Sequence, residues 1–365
     1  MKKVFCLFLA LLLTFFMCPL AFAQSGAFLV LDGRTLQVLE SDNGDQVLPM
    51  ASTTKIMTAL VVLESVPLAD QVAITAESVG IEGSSLYIKA GEVYTVEQLL
   101  YGLMLRSAND CAVALAVYVS GSVDAFVDLM NQKAVDLGLT NTHFMNPNGL
   151  PADGHYTTAK ELALIMVEAM KNPAFRQITG SKRYNLNGQT IVNHNKLLTL
   201  YGDCIGGKTG YTLQAGRCLV TVAQRTGVPL VCVTLGRRDD WNIHSNAYEK
   251  WFSKVEEVLL AEKGGLVVEL PLAGGGTALA YNADRVTAQL IQYDGNCTTK
   301  LLTSHFIYGN KEINDVVGTV EFWAYDTKIG ESPLLLSQPI ECPVKKELFI
   351  TRIFRFFRRI FLKKG

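Results

Sequence analysis

The sequence predicts a mixed α/β protein of two domains, a sheet covered by helices followed by a smaller all-β domain. The chain has 365 residues, which is more than one hydrophobic core usually serves. Its hydrophobic content of 49% and charged content of 18% are typical of globular proteins. Strand-like runs bracket long helical patterns over residues 24–255, whereas glycine-rich turns separate short β-rich runs over residues 256–344.

The elements of each domain follow from the spacing of apolar residues. In the first domain, continuous apolar runs predict strands at residues 27–32, 218–224 and 228–235. Apolar residues at helical spacing predict helices at residues 54–65, 96–119, 122–137 and 158–170. In the second domain, short runs between turns predict strands at residues 266–270, 287–293 and 316–325.

The N-terminal segment has the pattern of a secretory signal peptide. Lys2 and Lys3 precede an apolar run over residues 4–20, and a small-x-small cleavage site follows at residues 21–23. We expect residues 1–23 to be removed, so that the mature chain begins near Gln24 and acts outside the cytoplasm. The alternative is an uncleaved membrane helix, for which this apolar run is short.

The C-terminal segment, residues 345–365, predicts an amphipathic helix. On a helical wheel of residues 348–363, phenylalanine and isoleucine occupy one half and basic residues the other. This arrangement is typical of a helix that lies on a membrane surface and binds anionic lipid. The alternative is a helix that docks on the protein itself or on a partner.

Charge and cysteine content narrow the function classes. The formal net charge is −1, but residues 24–344 hold 23 Lys/Arg and 33 Asp/Glu, which argues against nucleic-acid binding through bulk positive charge. Of the eight cysteines, two lie in the signal segment, and the other six lie in apolar or strand-like contexts without a CxxC pair. We interpret these mostly as small buried hydrophobic residues. Export permits disulfides, although the sequence does not indicate the pairs.

The first candidate for chemistry is Ser52-x-x-Lys55. This motif follows Pro49 and opens an apolar helical pattern, so Ser52 is expected at a helix N-terminus with Lys55 one turn later on the same face. A neutral lysine can take the proton of a serine hydroxyl, provided that burial or a nearby cation lowers its pKa. Alone the motif is weak, since a capping serine and a solvated lysine give the same spacing.

Two further motifs follow in the chain. Ser107 and Asn109 interrupt the apolar pattern of residues 96–119, which indicates either a helix kink or polar groups aimed into a cleft. Lys208-Thr209-Gly210 precedes a hairpin-like turn and is expected on an edge strand, where a ligand carboxylate could meet a cation, a hydroxyl and strand N–H groups.

Other catalytic patterns fit poorly. Residues 202–209 match the phosphate-binding motif GxxxxGK[ST], but neither a preceding buried strand nor a following helix is predicted there. The five histidines form no HExxH motif, which argues against a zinc carboxypeptidase, and no GxSxG nucleophile elbow occurs.

Taken in order, the three motifs resemble the signature of penicillin-binding proteins and serine β-lactamases. Flanking sequences narrow the resemblance to the low-molecular-mass D-alanyl-D-alanine carboxypeptidases, the S11 type of serine peptidase. These are the segments at residues 105–110, 146–150, 155–159 and 207–212. The resemblance is strong over residues 26–255 and weaker through the β-rich domain and tail. It implies an antiparallel sheet flanked by helices, a penicillin-binding/β-lactamase-like fold.

The resemblance also implies catalytic roles and ligands. Ser52 would form an acyl-enzyme with the penultimate D-alanine of a peptidoglycan stem pentapeptide, and Lys55 would accept its proton. Ser107 would protonate the leaving amine, and Asn109 would orient Lys55 and the substrate amide. β-Lactam antibiotics would acylate the same serine, and neither a metal nor another cofactor is implied.

Substrate binding would involve the strand that carries the third motif. Lys208 and Thr209 would hold the terminal carboxylate beside Gly210, and the backbone N–H groups of Ser52 and Tyr211 would form the oxyanion hole. His155 matches a histidine near the site in the family, although a lone histidine is more often structural. Arg237 and Arg238 do not clearly match the family's carboxylate-binding arginine, and we leave both out of the site.

Two other functions remain open from the sequence. A secreted β-lactamase shares the three motifs but requires an efficient deacylating base. A non-catalytic wall-binding protein could retain the pocket without turnover.

Overall fold

The computed structural model describes residues 26–341. The chain divides into two compact units, of which the first ends at Ser253 and the second begins at Lys254. The sequence places this boundary between residues 255 and 256. The predicted signal peptide at residues 1–23 and the predicted amphipathic helix at residues 345–365 lie outside the described residues.

The first unit contains a five-stranded antiparallel sheet and two short ribbons. Its strands are β1 (Ala27–Asp32), β2 (Val38–Asp42), β3 (Gln71–Ala73), β4 (Val93–Thr95), β5 (Arg183–Leu186), β6 (Gln189–Val192), β7 (Cys204–Thr212), β8 (Gly216–Arg225) and β9 (Val228–Leu235). The order in the main sheet is β2-β1-β9-β8-β7, with every pair antiparallel. This arrangement confirms the antiparallel sheet and leaves β7, which carries the third motif, at one edge.

Helices pack against this sheet and against one another. They are α1 (Lys55–Ser65), α2 (Val96–Tyr101), α3 (Asn109–Ser120), α4 (Val123–Asp136), α5 (Ala159–Lys171), α6 (Pro173–Gly180), α7 (Leu197–Leu200) and α8 (Asp240–Phe252). The N-caps explain two predicted starts, because the Ser122 side chain accepts from Ala125 N and the Thr158 side chain from Glu161 N. Helix α1 is buried over residues 55–62, so its N-terminus is held firmly inside the core.

The predicted continuous helix over residues 96–119 is wrong. Helix α2 passes into a π-helical turn at Gly102–Arg106, Ser107 adopts a left-handed conformation with φ 63°, and α3 starts at Asn109. The backbone N–H of Asn109 donates to Ser84 O at 2.7 Å rather than to the preceding helical turn. The loop before β4 therefore supplies the partner that interrupts the helix, and Ser107 is freed from the helical face.

The described part of the second unit consists of strands and loops. Its strands are β10 (Val255–Ala261), β11 (Val267–Pro271), β12 (Thr277–Asn282), β13 (Val286–Ile291), β14 (Thr298–Thr303), β15 (Val316–Ala324) and β16 (Thr327–Leu336). Strands β10 and β13 pair, and the other five form a sheet in the order β11-β12-β16-β15-β14. Buried Leu270, Val320, Phe322 and Leu334 contribute to its own core.

Two further findings concern the described residues. Cys111, Cys204, Cys218 and Cys232 are buried and unbonded, and Cys297 is half-buried and unbonded, in agreement with their interpretation as packing residues. Between residues 26 and 341, no single helix is long and apolar enough to cross a bilayer; α3 and α4 would qualify only as a pair, and they are bent by 85°.

Candidate active site

The candidate nucleophile lies on a tight turn that leads into α1. Ser52 belongs to a 3-10 turn, Ala51–Thr54, and is half-buried, whereas the residues around it are buried. Ala51 has a left-handed backbone with φ 48°. The hydroxyl groups of Thr53 and Thr54 donate to the carbonyls of Met50 at 2.6 Å and Ala51 at 2.8 Å. These bonds fix the turn, so the Ser52 hydroxyl is held at the start of the helix.

Lys55 is fully buried and lies beside Ser52. Its Nζ is 3.0 Å from Ser52 Oγ, 2.6 Å from Asn109 Oδ1 and 2.5 Å from the carbonyl oxygen of Asn148. Burial, followed by the positive charge of Lys208, holds the pKa of Lys55 well below its ordinary value of 10.5. A neutral amine has two N–H donors and one lone pair. With both donors directed at the Asn109 and Asn148 oxygens, the lone pair faces the Ser52 hydroxyl.

A second serine and lysine form another contact. Lys208 Nζ donates to Ser107 Oγ at 3.0 Å and to Thr209 O at 2.8 Å, and both Lys208 and Ser107 are buried. Burial lowers the pKa of Lys208 to about 7. Because Ser107 Oγ accepts from the lysine, its own hydroxyl proton remains available to another group.

Strand β7 reaches the nucleophile because residue 210 is glycine. A Cβ at Gly210 would lie 3.0 Å from Ser52 N and 3.1 Å from the Ala51 Cβ, closer than ordinary packing allows. The edge strand therefore runs directly past the backbone N–H of Ser52. The phosphate-loop alternative is wrong, since residues 204–212 form a strand and no helix begins at Lys208.

A cleft of about 370 Å³ opens at these residues. Its lining residues are Ser52, Ser84, Ser107, His194, Lys196, Thr209, Gly210, Tyr211, Arg217, Cys218, Asp240 and Trp241. Lys55, Asn109 and Lys208 lie directly behind it. Lys55 bonds to Ser52 and Lys208 bonds to Ser107, both of which line the cleft, and Asn109 bonds to Lys55. The structure thus brings together members of all three sequence motifs, which lie 55 and 101 residues apart in the chain.

His155 is the one predicted site residue that the structure does not bring to the cleft. Met145 N donates to its Nδ1 at 3.0 Å, so the ring proton is on Nε2, which donates to Thr54 Oγ1 at 2.7 Å. Burial lowers the pKa of His155 to about 4, with smaller contributions from the charges of His143 and Lys55. The neutral ring supports Thr54, and through it the carbonyl that precedes Ser52.

Three residues near the site were missed by sequence reasoning. Asn148 contributes a backbone carbonyl to Lys55. The Asp110 carboxylate accepts from Ser85 Oγ at 2.5 Å and from the N–H of Leu86 at 3.0 Å, so it holds the loop that borders the cleft. Arg217 lies opposite Tyr211 in the β7–β8 hairpin. Its position directly after Gly216, at the predicted turn, was the feature of the sequence that could have identified Arg217 as a residue near the site.

Arg217 is the arginine that lines the cleft, and Arg237 is not. Arg217 Nε and Nη2 donate to the Asp240 carboxylate at 3.0 and 2.7 Å, and its guanidinium carbon lies 5.5 Å from the Trp241 ring centre. Arg237 instead bonds to Gly26 O and to the Asp42 carboxylate at the opposite edge of the sheet. Among the described residues, no group of three or more His, Cys, Asp or Glu side chains could hold a metal ion.

Comparison with known proteins gives a consistent result. The sequence model of D-alanyl-D-alanine carboxypeptidase, peptidase S11, matches residues 19–239. The chain is 30% identical over 358 residues to D-alanyl-D-alanine carboxypeptidase DacC of Escherichia coli, covering 90% of this chain and 89% of the relative. It is 34% identical over 223 residues to DacF of Bacillus subtilis, a match that spans 58% of this chain and 57% of the relative.

The fold agrees with these relatives. The crystal structure of D-alanyl-D-alanine carboxypeptidase DacD from Francisella tularensis superposes with a TM-score of 0.63 and 25% identity, covering 86% of this chain and 93% of that one. The matched region includes all three motifs and the strands and helices that position them. The chain therefore belongs to the D-alanyl-D-alanine carboxypeptidase family, peptidase S11, a family of serine hydrolases.

Proposed function

We propose that this chain removes the terminal D-alanine from peptidoglycan stem pentapeptides through an acyl-enzyme on Ser52, and that penicillin acylates the same residue. The observation that carries the proposal is the buried amine of Lys55, 3.0 Å from Ser52 Oγ and bonded on its other side to two oxygens. Such an environment lowers the pKa of the lysine and so favours the neutral amine, with its lone pair directed at the serine proton.

Acylation begins with transfer of the Ser52 proton to Lys55. The serine oxygen then attacks the carbonyl carbon of the penultimate D-alanine, and the developing negative charge lies near the backbone N–H groups of Ser52 and Tyr211. The close approach of β7 at Gly210 supports this placement. Removing one such donor typically raises the barrier by about 3 kcal/mol.

The leaving D-alanine takes a proton from Ser107. The Ser107 oxygen accepts a hydrogen bond from Lys208, so the ammonium can replace the proton that the serine gives up. Asn109 orients Lys55 through its Oδ1, but its Nδ2 already donates to Glu82 O at 2.5 Å. Its contribution is therefore mainly to the lysine. Water then hydrolyses the ester.

The terminal carboxylate of the substrate binds beside Lys208, Thr209 and Arg217. Protonated Lys208 has three donors, of which two reach Ser107 and Thr209 O, leaving one for the carboxylate. Asp240 occupies two donor groups of Arg217 and leaves Nη1 free, because no other bond of this guanidinium occurs within residues 26–341. His155 acts as a positioning residue behind the nucleophile.

The acidic residues among the described lining of the cleft favour carboxypeptidase activity over β-lactamase activity. Among the described residues that line the cleft, Asp240 is the single acidic one, and both of its oxygens bond to Arg217 or to Trp241 N. No carboxylate there is placed to activate water against a penicilloyl ester. We therefore expect a long-lived adduct.

Peptidoglycan is reached from outside the cell membrane, and two sequence patterns fit that location. Residues 1–23 would direct export, and residues 345–365 would hold the enzyme on the outer face of the membrane. Flotation of the full mature chain and of a chain ending at residue 344 with anionic vesicles tests the second point. Equal flotation of both would contradict anchoring by the tail.

The experiment for the main proposal is intact-mass analysis after labelled penicillin, with the adduct mapped to a peptide, together with D-alanine release from a pentapeptide. Wild type should gain one adduct on the peptide that contains Ser52 and release D-alanine, whereas Ser52→Ala should do neither. Ser253→Ala, at an exposed serine that ends the same unit and does not line the cleft, is the matched control. An adduct that persists in Ser52→Ala would refute the assignment.

A further inference from the structure

A groove larger than the active-site cleft lies beside it. Its volume is about 1330 Å³, against about 370 Å³ for the cleft. The loop at residues 85–87, the β5–β6 hairpin and the segment that leads into α7 form its walls. A cleft of the smaller size accommodates the terminal residues of a peptide, so the groove offers room for a longer chain.

The groove is lined by cations without acids. Its charged lining residues are Arg106, Lys182, Arg183 and Lys196, and no aspartate or glutamate lines it among the described residues. All four are exposed, and none has an ion-pair partner within residues 26–341. Residues 24–344 carry about ten more acidic than basic residues, so this local excess of positive charge is opposite to that of the surrounding protein.

The groove and the cleft are continuous. His194 and Lys196 line both, and His194 N donates to Leu105 O at 3.1 Å, two residues before Ser107. His194 is exposed at this shared rim, and burial of part of its ring, followed by the charges of Lys208 and Arg106, lowers its pKa to about 4. A molecule that extends out of the cleft past Ser107 therefore enters the groove directly.

One wall of the groove is held in place by Asp110. This buried carboxylate accepts from Ser85 Oγ and from the N–H of Leu86 and Ile88. Tyr87 between them has a left-handed backbone with φ 59° and a side chain that is 78% exposed. A strained residue pinned on both sides presents an aromatic surface to the groove without a large ordering cost on binding.

We propose that this groove binds carboxylate-bearing residues of a peptidoglycan peptide that extends beyond the active-site cleft. The inference rests on the proposed function. Two peptides have this chemistry, namely the upstream part of the same stem peptide and a second stem peptide joined by a cross-link. The position next to Ser107, on the leaving-group side, favours the second. In that case the Ser52 ester forms, the C–N bond of the cross-link breaks, its amine leaves with the Ser107 proton, and water hydrolyses the ester.

The test compares three substrates with full-length protein: a pentapeptide with free upstream carboxylates, the same peptide amidated, and a cross-linked dimer with free carboxylates. The groove variant is Lys182→Gln/Arg183→Gln. The matched control, Arg176→Gln/Lys263→Gln, removes two exposed cations that line neither the groove nor the cleft. In wild type, we expect at least one of the two substrates with free carboxylates to be turned over with a higher kcat/KM than the amidated peptide. The groove variant should lower that kcat/KM about 10-fold at low salt, and less at high salt, while its kcat/KM for the amidated peptide stays unchanged.

The pattern of losses identifies the peptide that occupies the groove or excludes the proposal. A reduction confined to the free pentapeptide identifies the upstream residues, and one confined to the dimer identifies the cross-linked neighbour. Equal effects of the groove and control variants on every substrate would overturn the proposal, as would tighter binding of a phosphate polymer with no preference for free carboxylates. If wild type releases no D-alanine, the proposed function fails instead. Direct titration of Ser52→Ala with labelled free and amidated peptides then decides the groove separately.

Discussion

Replacing Asn109 by aspartate adds one negative charge next to the proposed base with almost no change of shape. Asn109 Oδ1 lies 2.6 Å from Lys55 Nζ. Opposite unit charges at that distance attract by about 6 kcal/mol in an effective dielectric of about 20, and this attraction raises the pKa of Lys55. The added charge therefore opposes the burial and the Lys208 charge that hold the pKa of Lys55 well below its ordinary value. Because each unit of pKa changes the neutral fraction of a mostly protonated amine tenfold, acylation at pH 7.5 should slow by at least about 100-fold.

The assay is stopped-flow acylation by a fluorescent penicillin from pH 5.5 to 10.5. In Asn109→Asp the rate should rise about tenfold per pH unit well above neutrality, because each unit restores neutral Lys55. Asn109→Ala is the control, since it loses the bond to Glu82 O as Asn109→Asp does, and the bond to Lys55 as well, but adds no charge. Its rate should fall without that displacement of the acid limb. An unshifted acid limb in a folded Asn109→Asp protein would refute the assignment of Lys55 as the base.

Three further predictions concern the site and the fold. Gly149→Ala should slow acylation at least tenfold, because its Cβ would lie 2.1 Å from Ala51 O. Gly188→Ala is the control, since Gly188 has a similar positive φ but no atom within 4 Å of its Cβ, and it should leave the acylation rate unchanged. Equal rates in the two variants would contradict this account. Burial lowers the pKa of Lys208 to about 7, so kcat/KM should fall above pH 7 as the lysine of the free enzyme loses its charge. In the complex the bound carboxylate favours the ammonium, so kcat should fall only at higher pH. A flat kcat/KM profile from pH 6.5 to 9 would contradict this assignment. Burial lowers the pKa of His244 from 6.5 to about 3, so the unfolded chain binds a proton that the folded chain does not. Its contribution to the free energy of unfolding should be lost by about 1.4 kcal/mol per pH unit as the pH falls from 6.5 towards 3, and urea titrations should show a shallower dependence in His244→Gln.

The sequence was most informative where one physical signal dominates a segment. Apolar runs and N-caps predicted the central strands and α4 and α5 within two residues, because burial and capping are local in sequence. The continuity of the apolar pattern over residues 96–119 was misleading for the same reason. The break at Ser107 depends on the carbonyl of Ser84 and on the Asp110 carboxylate, which bond across a loop.

The candidate site divides in the same way. Ordered motifs predicted the serines, lysines and Asn109 that the structure brings together, since their types and spacing are properties of the sequence. The groups that hold them are different in kind. Asn148 contributes only its backbone carbonyl, so its side chain gives no signal, and His155 was assigned to the substrate although it supports the turn before Ser52. Arg217 becomes a site residue only through the register of β7 and β8.

The two buried lysines give the proposed mechanism a physical basis for moving protons in both directions within one cleft. Two ammonium groups buried together repel each other, so the proton is lost first from the one with the lower pKa. That lysine is Lys55, on which burial and the charge of Lys208 act together, whereas burial alone acts on Lys208. In the proposed mechanism, neutral Lys55 therefore removes a proton from Ser52, and charged Lys208 stands behind the proton that Ser107 delivers. Each serine contacts its own lysine, and in this proposal the repulsion between the lysines makes one pair a base and the other an acid.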